Sequence, residues 1–210
     1  MRVGGIGLIN NATVVFSVIV VTIILGHFGA ASLAGYGLGS RLELVLTPLV
    51  FGVGSALTAG VGANVGAQNF QRARNIAWAG ASVAFLVTGG IGIMVAVTPV
   101  LWLDWFTAEE TTHEVAVLYL TIAGPFYGFF GAGQALYFAS QGTGRLLLPI
   151  CVGVLRFLTI SLVGLVAVLM EWPIQVVFAG VSAGLLVTGI GLALCLFSPD
   201  WRPRLQTSKN

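Results

Sequence analysis

Residues 146–170 read LLLPICVGVLRFLTISLVGLVAVLM, an apolar stretch in which Arg156 is the only charged side chain. A helix that crosses the hydrocarbon core of a bilayer needs about 20 mainly apolar residues, so this stretch is long enough to span a membrane. Five more runs have the same character, at about 5–26, 42–63, 76–103, 115–139 and 173–197. None alternates polar and apolar residues over about ten positions, the pattern of a membrane-spanning strand. The sequence predicts an all-α integral membrane protein with six transmembrane helices.

The composition of the chain supports lipid rather than water as its solvent. Of the 210 residues, 57% are hydrophobic and only 8% are charged, and the mean hydropathy is +1.00. A soluble domain carries about 25% charged residues, because these cover its surface. The formal net charge of +2 is too small to indicate a nucleic-acid partner.

The charges between the runs predict an orientation. Lys and Arg resist translocation, so they collect on the cytoplasmic side. With the N-terminus inside, the inner segments carry Arg2, Arg72, Arg74, Arg145, Arg202, Arg204 and Lys209. The outer segments carry Asp104, Glu109, Glu110, Glu114 and Glu171, with Arg41 at a helix border. We therefore expect both termini in the cytoplasm of a cell (plasma) membrane protein, with 198–210 as a cytoplasmic tail.

The sequence offers little for metal or enzyme chemistry. Cys151 and Cys195 lie inside apolar runs, where cysteine packs as a small apolar residue, and His27 and His113 are far apart. No Ser-His-Asp, Cys-His or HExxH arrangement and no phosphate-binding loop is present in the sequence. We predict neither a metal site nor a cofactor, and an enzyme is the least favoured class.

Residues 35–74 read GYGLGSRLELVLTPLVFGVGSALTAGVGANVGAQNFQRAR, with a Gly-rich turn expected at 35–39 before the second span. This segment resembles the multidrug and toxic compound extrusion (MATE) transporters in residues 40–43 (SRLE), 61–67 (VGANVGA) and 72–73 (RA). Ala63 stands where the family commonly has Gln. Residues 141–145 (QGTGR), followed by Pro149 and Arg156, also resemble the family, so the similarity follows nearly the whole chain in order.

The resemblance implies an architecture and a transport function. MATE transporters have twelve spans in two six-helix lobes, and residues 1–210 have the length of one lobe, with features of the C-terminal one. The partner would then be an N-terminal six-helix lobe, and the chain would be a fragment or one half of a split transporter. The implied activity is efflux of small, cationic organic compounds by Na⁺- or H⁺-coupled antiport, with that ion and no further cofactor.

Two other functions stay open at this point. A flippase for lipid-linked oligosaccharide or polysaccharide belongs to the same superfamily, although such proteins tend to carry more embedded basic residues. A non-transporting membrane half that only packs on a partner is the second alternative. One branch of the resembled family places coupling acids in the first and fourth spans of the C-terminal lobe. Neither span carries an acid in its apolar part here, so the main acid is expected in the other lobe.

Three residues are candidates for transport or coupling. Glu43 lies on a small, polar helix face with Ser40, Thr47, Gly54, Thr58 and Gly62, and an embedded charge is a functional candidate because it is costly in lipid. The competing interpretation is that Glu43 anchors the helix at the outer interface. Tyr127 and Gln134 lie with Gln141 along one side of the fourth span, where they could contact a substrate or make helix–helix hydrogen bonds.

A second set of residues is assigned structural or gating roles. Arg41 lies two positions from Glu43, so we expect it to point elsewhere and to behave independently. Arg156 lies about 15 Å into its span at 1.5 Å per residue, where it binds an interior group or snorkels to the inner interface. Gly62 and Gly66 form a small-xxx-small pair that allows close helix packing, and Arg72 belongs to the inner-loop signature.

Overall fold

The fold is a bundle of helices. In the computed structural model the backbone is described for residues 2–106, 109–198 and 201, and side chains from residue 12 onward within those ranges. The helices are α1 (Arg2–Gly26), α2 (Ala30–Gly66), α3 (Phe70–Val97), α4 (Val100–Leu103), α5 (Glu110–Ala123), α6 (Tyr127–Thr143), α7 (Leu147–Leu169) and α8 (Ile174–Cys195). A 3₁₀ turn, Gly124–Phe126, joins α5 to α6. The described ranges contain no strand, and the predicted all-α fold is confirmed.

Five helical stretches are long and apolar enough to cross a membrane. They are α2, α3, the continuous stretch Glu110–Thr143 that combines α5 and α6, α7 and α8. The part of α1 with described side chains, Ala12–Gly26, is a shorter apolar helix. Each of the six predicted runs lies in a helical part of the chain, although two of them, 76–103 and 115–139, contain more than one helix.

The start of the second helix corrects the sequence interpretation. Residues 35–39 were expected to form a turn, but α2 begins at Ala30 and passes through them as helix. The glycines there serve close packing against α5. A Cβ atom added to Gly35 would lie 2.7 Å from the Cβ of Val115, and one added to Gly39 would collide with the ring of Tyr119. Because Gly35 and Gly39 have no side chains, α2 and α5 can approach each other closely.

Proline changes two other predicted boundaries. The third run was expected to continue to residue 103, but α3 ends at Val97 and Pro99 precedes the separate short helix α4. Proline lacks the N–H that continues a helix and disfavours helical backbone in the residue before it. In the fourth run, Pro125 lies in the 3₁₀ turn that separates α5 from α6.

Helix α6 is central in the bundle, where it packs against α2, α3 and α8, while α7 packs against α1 and α8. Hydroxyl groups join these helices. Thr58 Oγ1 donates to the Phe138 carbonyl at 2.9 Å, and Thr88 Oγ1 lies 2.9 Å from the Tyr127 carbonyl. In lipid, small residues and hydroxyl hydrogen bonds hold helices together, because the surrounding tails are as apolar as the side chains.

The outer surface of the bundle is apolar. Many large hydrophobic side chains are exposed along α1, α3 and α7, among them Phe16, Leu86, Leu162 and Leu169. Such a surface is stable against lipid and not against water. The protein is therefore a multi-pass membrane protein.

The segment after α8 returns to the bundle. Trp201 is buried, and its carbonyl accepts a hydrogen bond from Arg74 Nη2 at 3.3 Å. Apart from Ser198 and Trp201, the predicted tail lies outside the described residues, as do the side chain of Arg2 and the residues Arg202, Arg204 and Lys209.

Candidate functional site

The carboxylate of Glu43 is held inside the bundle. Glu43 lies on α2, about one and a half turns before Pro48, and its Oε1 accepts a hydrogen bond from the hydroxyl of Tyr119 at 2.8 Å. Tyr119 lies on α5, whose close approach depends on Gly35 and Gly39. The glycines of the sequence thus bring the tyrosine within reach of the acid.

Aromatic rings surround this hydrogen bond. The ring of Tyr119 meets Tyr36 edge to face at 5.1 Å between centroids, and it meets Phe178 in the same way at 5.2 Å. The hydroxyl of Tyr127 is buried without a hydrogen-bond partner in the described part of the chain. It lies close enough to Glu43 and Tyr119 to interact electrostatically with both. Glu43 is therefore the charge at the centre of a tyrosine cluster made of Tyr36, Tyr119 and Tyr127.

Glu43 also lines an open cavity of about 720 Å³ at the end of the bundle where α2 and α5 meet Phe106. The cavity wall comes from α1, α2, α5 and the described residues that precede α5, and it consists of Val18, Ala34, Tyr36, Gly37, Leu38, Ser40, Arg41, Glu43, Leu44, Phe106, Glu109 and Thr112. The acid therefore faces an open cavity on one side and the tyrosine cluster on the other.

Arg41 lies on the wall of the same cavity as Glu43, although the described residues show no ion pair between the two side chains, and its independence from Glu43 stays a prediction. Its guanidinium lies 5.6 Å from the centroid of the Phe106 ring, a cation–π arrangement at the cavity mouth. Phe106 in turn packs on Trp102, whose indole N–H reaches the Leu38 carbonyl at 3.4 Å. Two residues two positions apart on one helix thus meet the same cavity, because Arg41 has a long side chain.

The predicted polar face of α2 divides into two parts. Ser40 and Glu43 line the cavity, whereas Gly54, Thr58 and Gly62 lie against α6. A Cβ atom at Gly62 would lie 3.4 Å from the Gly142 carbonyl, while one at Gly66 would meet nothing within 4 Å. The part of this helix face from Gly54 to Gly62 therefore serves packing against α6.

The other candidates lie apart from Glu43. Gln134 and Arg156 share a small pocket between α1, α6, α7 and α8, and Arg156 is close enough to Glu43 for an electrostatic interaction. The side chain of Arg72 is exposed, and its backbone N–H donates to the Asn69 side chain, which caps α3. At that end of the bundle the buried contact to Trp201 comes from Arg74, a residue that was considered only for its charge.

Tyr36 and Tyr119 are the site residues that sequence reasoning missed. Both are tyrosines within helical runs that are otherwise small or apolar, and a buried tyrosine hydroxyl needs a hydrogen-bond partner. That signal indicates a polar neighbour but does not identify it. Glu43 and Tyr119 are 76 positions apart in the chain.

The chemistry available at Glu43 is that of a carboxylate held by a tyrosine hydroxyl, with a second carboxylate, that of Glu109, on the wall of the same cavity. Within the described residues, no three His, Cys, Asp or Glu side chains come together as a metal-binding group. One carboxylate with neighbouring hydroxyls suits a proton, or one ligand position of an oxygen-coordinated monovalent cation. The open cavity and the half-buried acid on its wall give this membrane protein a polar region between its helices.

Comparison with known proteins places this bundle in a family. The MatE family model matches residues 8–167, and the chain belongs to the MatE family. It is 24% identical over 154 residues to the "Probable multidrug resistance protein YoeA" of Bacillus subtilis, covering 73% of this chain and 33% of that protein. It is 27% identical over 152 residues to the "Probable multidrug resistance protein NorM" of Thermotoga maritima, covering 72% and 33%.

Solved structures show the same fold. The chain superposes on the MATE transporter ClbM in complex with Rb⁺ with a TM-score of 0.85 at 22% identity, over 93% of this chain and 46% of that one. It superposes on the Vibrio cholerae MATE transporter VcmN with a TM-score of 0.81 at 15% identity, over 100% and 48%. The chain thus spans about half the length of these transporters and about a third of the two curated relatives.

Proposed function

We propose that the chain is the C-terminal lobe of a multidrug efflux transporter that exports small organic cations in exchange for Na⁺ or H⁺. The observation that carries the proposal is the Glu43 carboxylate, which accepts a hydrogen bond from Tyr119 and lines the cavity that Phe106 and Arg41 also line. Family membership and the two multidrug resistance relatives support the substrate class.

Glu43 supplies a physical basis for coupling. A carboxylate that is partly removed from water binds a cation or a proton more strongly than a carboxylate in water does, because its negative charge is less well solvated there. A cation that arrives through the cavity neutralises the carboxylate of Glu43, and the hydrogen bond from the Tyr119 hydroxyl then becomes weaker. Because Tyr119 lies on α5 and Glu43 on α2, the occupancy of the acid acts on the contact between two helices.

The partner of the chain is, in this proposal, a second six-helix lobe. Secondary transporters with internal repeats bind their substrate between the repeats, and one repeat moves against the other. The chain spans about half of the solved transporters, which is consistent with a site completed by the other half. No direct observation favours the flippase alternative over drug efflux.

A complementation experiment tests this proposal. The chain expressed alone in a drug-sensitive host is expected to confer no ion-driven efflux of an organic cation such as ethidium. Joined to the N-terminal six-helix lobe of a MATE transporter, it should restore efflux, and a fusion to an unrelated six-span protein is the control. Efflux by the chain alone, when the chain is shown to be monomeric, would contradict the two-lobe proposal.

The proposal also includes an orientation, in which both termini and Arg72 are cytoplasmic and Glu109 is extracellular. Gln71 and Glu110 are exposed at the first turns of α3 and α5, so cysteines placed there should be accessible without disturbing the core. On intact cells, an impermeant maleimide should label the Glu110→Cys variant and spare Gln71→Cys, and lysis should make both reactive. Both variants need a background without Cys151, which is exposed. The reverse labelling pattern would overturn the orientation.

A further inference from the structure

A second polar pocket lies inside the bundle, away from Glu43. It is formed between α1, α6, α7 and α8, and its polar wall consists of Thr13, Gln134, Tyr137, Arg156 and Thr188. Its volume of about 20 Å³ is enough for one water molecule or one small ion. Neither an aspartate nor a glutamate contributes to its wall.

Among the described residues, the charge in this pocket has no partner at contact distance. Arg156 lies nine residues after the start of α7, about 13 Å along the helix axis, and it makes neither a hydrogen bond nor an ion pair with any described residue. A guanidinium carries five N–H donors and keeps its charge under ordinary conditions. Arg156 is half-buried, and a charge that is drawn partly out of water is normally paired or hydrogen-bonded, so this arginine requires an explanation.

Glu43 does not provide that partner. It interacts with Arg156 only through the longer-range electrostatic field, since its carboxylate is engaged by Tyr119 and lines the other cavity. The stem of Arg156 packs at Gly184 on α8, where an added Cβ would lie 3.4 Å from the arginine Cγ. The absence of a side chain at Gly184 therefore makes room for the arginine between α7 and α8.

The remaining polar groups of the pocket add donors. The amide of Gln134 makes no side-chain hydrogen bond within the described part of the chain, so its NH₂ group is available. The Tyr137 hydroxyl also lines the pocket but interacts with the Gln141 side chain, and the Thr188 hydroxyl donates to the Gly184 carbonyl at 2.8 Å, so the open donors are those of Arg156 and Gln134. A permanent positive charge with neighbouring N–H donors is the environment that an anion requires.

We infer that this pocket binds one small monovalent anion, of the size of chloride, against the guanidinium of Arg156. Attraction between the ion and the guanidinium is stronger than in bulk water, because Arg156 is half-buried and solvent screens it only in part. The ion satisfies the donors that the described side chains leave open, and it stabilises the contact between α6, α7 and α8. This site is separate from Glu43 and does not depend on the proposed transport function.

Thermal unfolding of the purified full-length protein in detergent tests the inference. At constant ionic strength and sodium concentration, replacing gluconate by chloride or bromide is expected to raise the unfolding midpoint by about 2–4 °C. Arg156→Gln should abolish the increase. Arg72→Gln, which removes an exposed charge of the same kind, should retain it. An equal increase in Arg156→Gln, or none in the wild type, would overturn the anion site.

A crystallographic measurement keeps the inference testable if Arg156→Gln does not fold. Crystals of the unaltered protein grown in bromide should show an anomalous peak within hydrogen-bond reach of the Arg156 guanidinium and the Gln134 amide. A pocket that holds only water under these conditions contradicts the inference. Because neither measurement uses transport, a failure here is distinct from a failure of the efflux proposal.

Discussion

Glu43→Gln is expected to reduce ion-driven efflux by about 5- to 150-fold, the range that corresponds to typical coupling free energies between two ligands. Glutamine keeps the shape of the side chain and still accepts a hydrogen bond from Tyr119, but it cannot bind a proton or balance a cation. Expression and thermal stability should stay close to those of the wild type. Ethidium efflux from energised cells that carry the two-lobe transporter measures the effect.

A matched control separates the loss of this carboxylate from the loss of any negative charge. Glu114 is exposed on α5, near the same end of the bundle, and it does not line the Glu43 cavity. Glu114→Gln is therefore expected to leave efflux unchanged. Arg41 is unsuitable as a control because it lies on the wall of the same cavity. Normal efflux in Glu43→Gln over a range of pH and Na⁺ would leave Glu43 only the role of a helix anchor.

Gly92→Ala is expected to destabilise the bundle by about 1–3 kcal/mol or more, the usual effect of overpacking. An added Cβ at Gly92 would collide with the Gly124 carbonyl and lie 2.9 Å from the Cβ of Tyr127. The first of these contacts is to backbone, so no side chain can rotate away. Because Gly124 begins the 3₁₀ turn between α5 and α6, the collision forces the two halves of the central span apart from α3.

Gly90 provides the comparison for this prediction on the same helix. It is exposed, and a Cβ added there would meet nothing within 4 Å. Gly90→Ala should therefore be neutral or slightly stabilising, since alanine has the higher helix propensity. The yield of monodisperse protein after heating, measured by size-exclusion chromatography, compares the two variants. Equal yields would show that α3 and the turn separate without cost.

The helical fold could be predicted from the sequence because a helix that faces lipid needs a continuous run of apolar residues, which is visible without knowing its neighbours. Uninterrupted apolar runs such as 146–170 predict helices without knowledge of their neighbours, and the described helices lie on those runs. The errors arose at glycine and proline. Gly35 and Gly39 can serve a turn or a close helix contact, and only the position of α5 decides between these roles.

The candidate site was predictable only in part. An acid in a polar helix face drew attention to Glu43, since embedded charge is costly. The bond from Tyr119, the cavity shared with Arg41 and the isolation of Arg156 from direct partners depend on how α1, α2, α5 and α7 pack. Such contacts join residues that are distant in the chain, so the pattern within one helix does not contain them.

Transport by the purified two-lobe protein in liposomes tests the central proposal most directly, that ion coupling depends on the carboxylate of Glu43. Two rates are measured in the same preparation: substrate movement driven by an imposed H⁺ or Na⁺ gradient, and exchange of labelled for unlabelled substrate without a gradient. The proposal predicts that Glu43→Gln loses the driven movement and retains exchange. Driven movement at the wild-type rate in Glu43→Gln would contradict it.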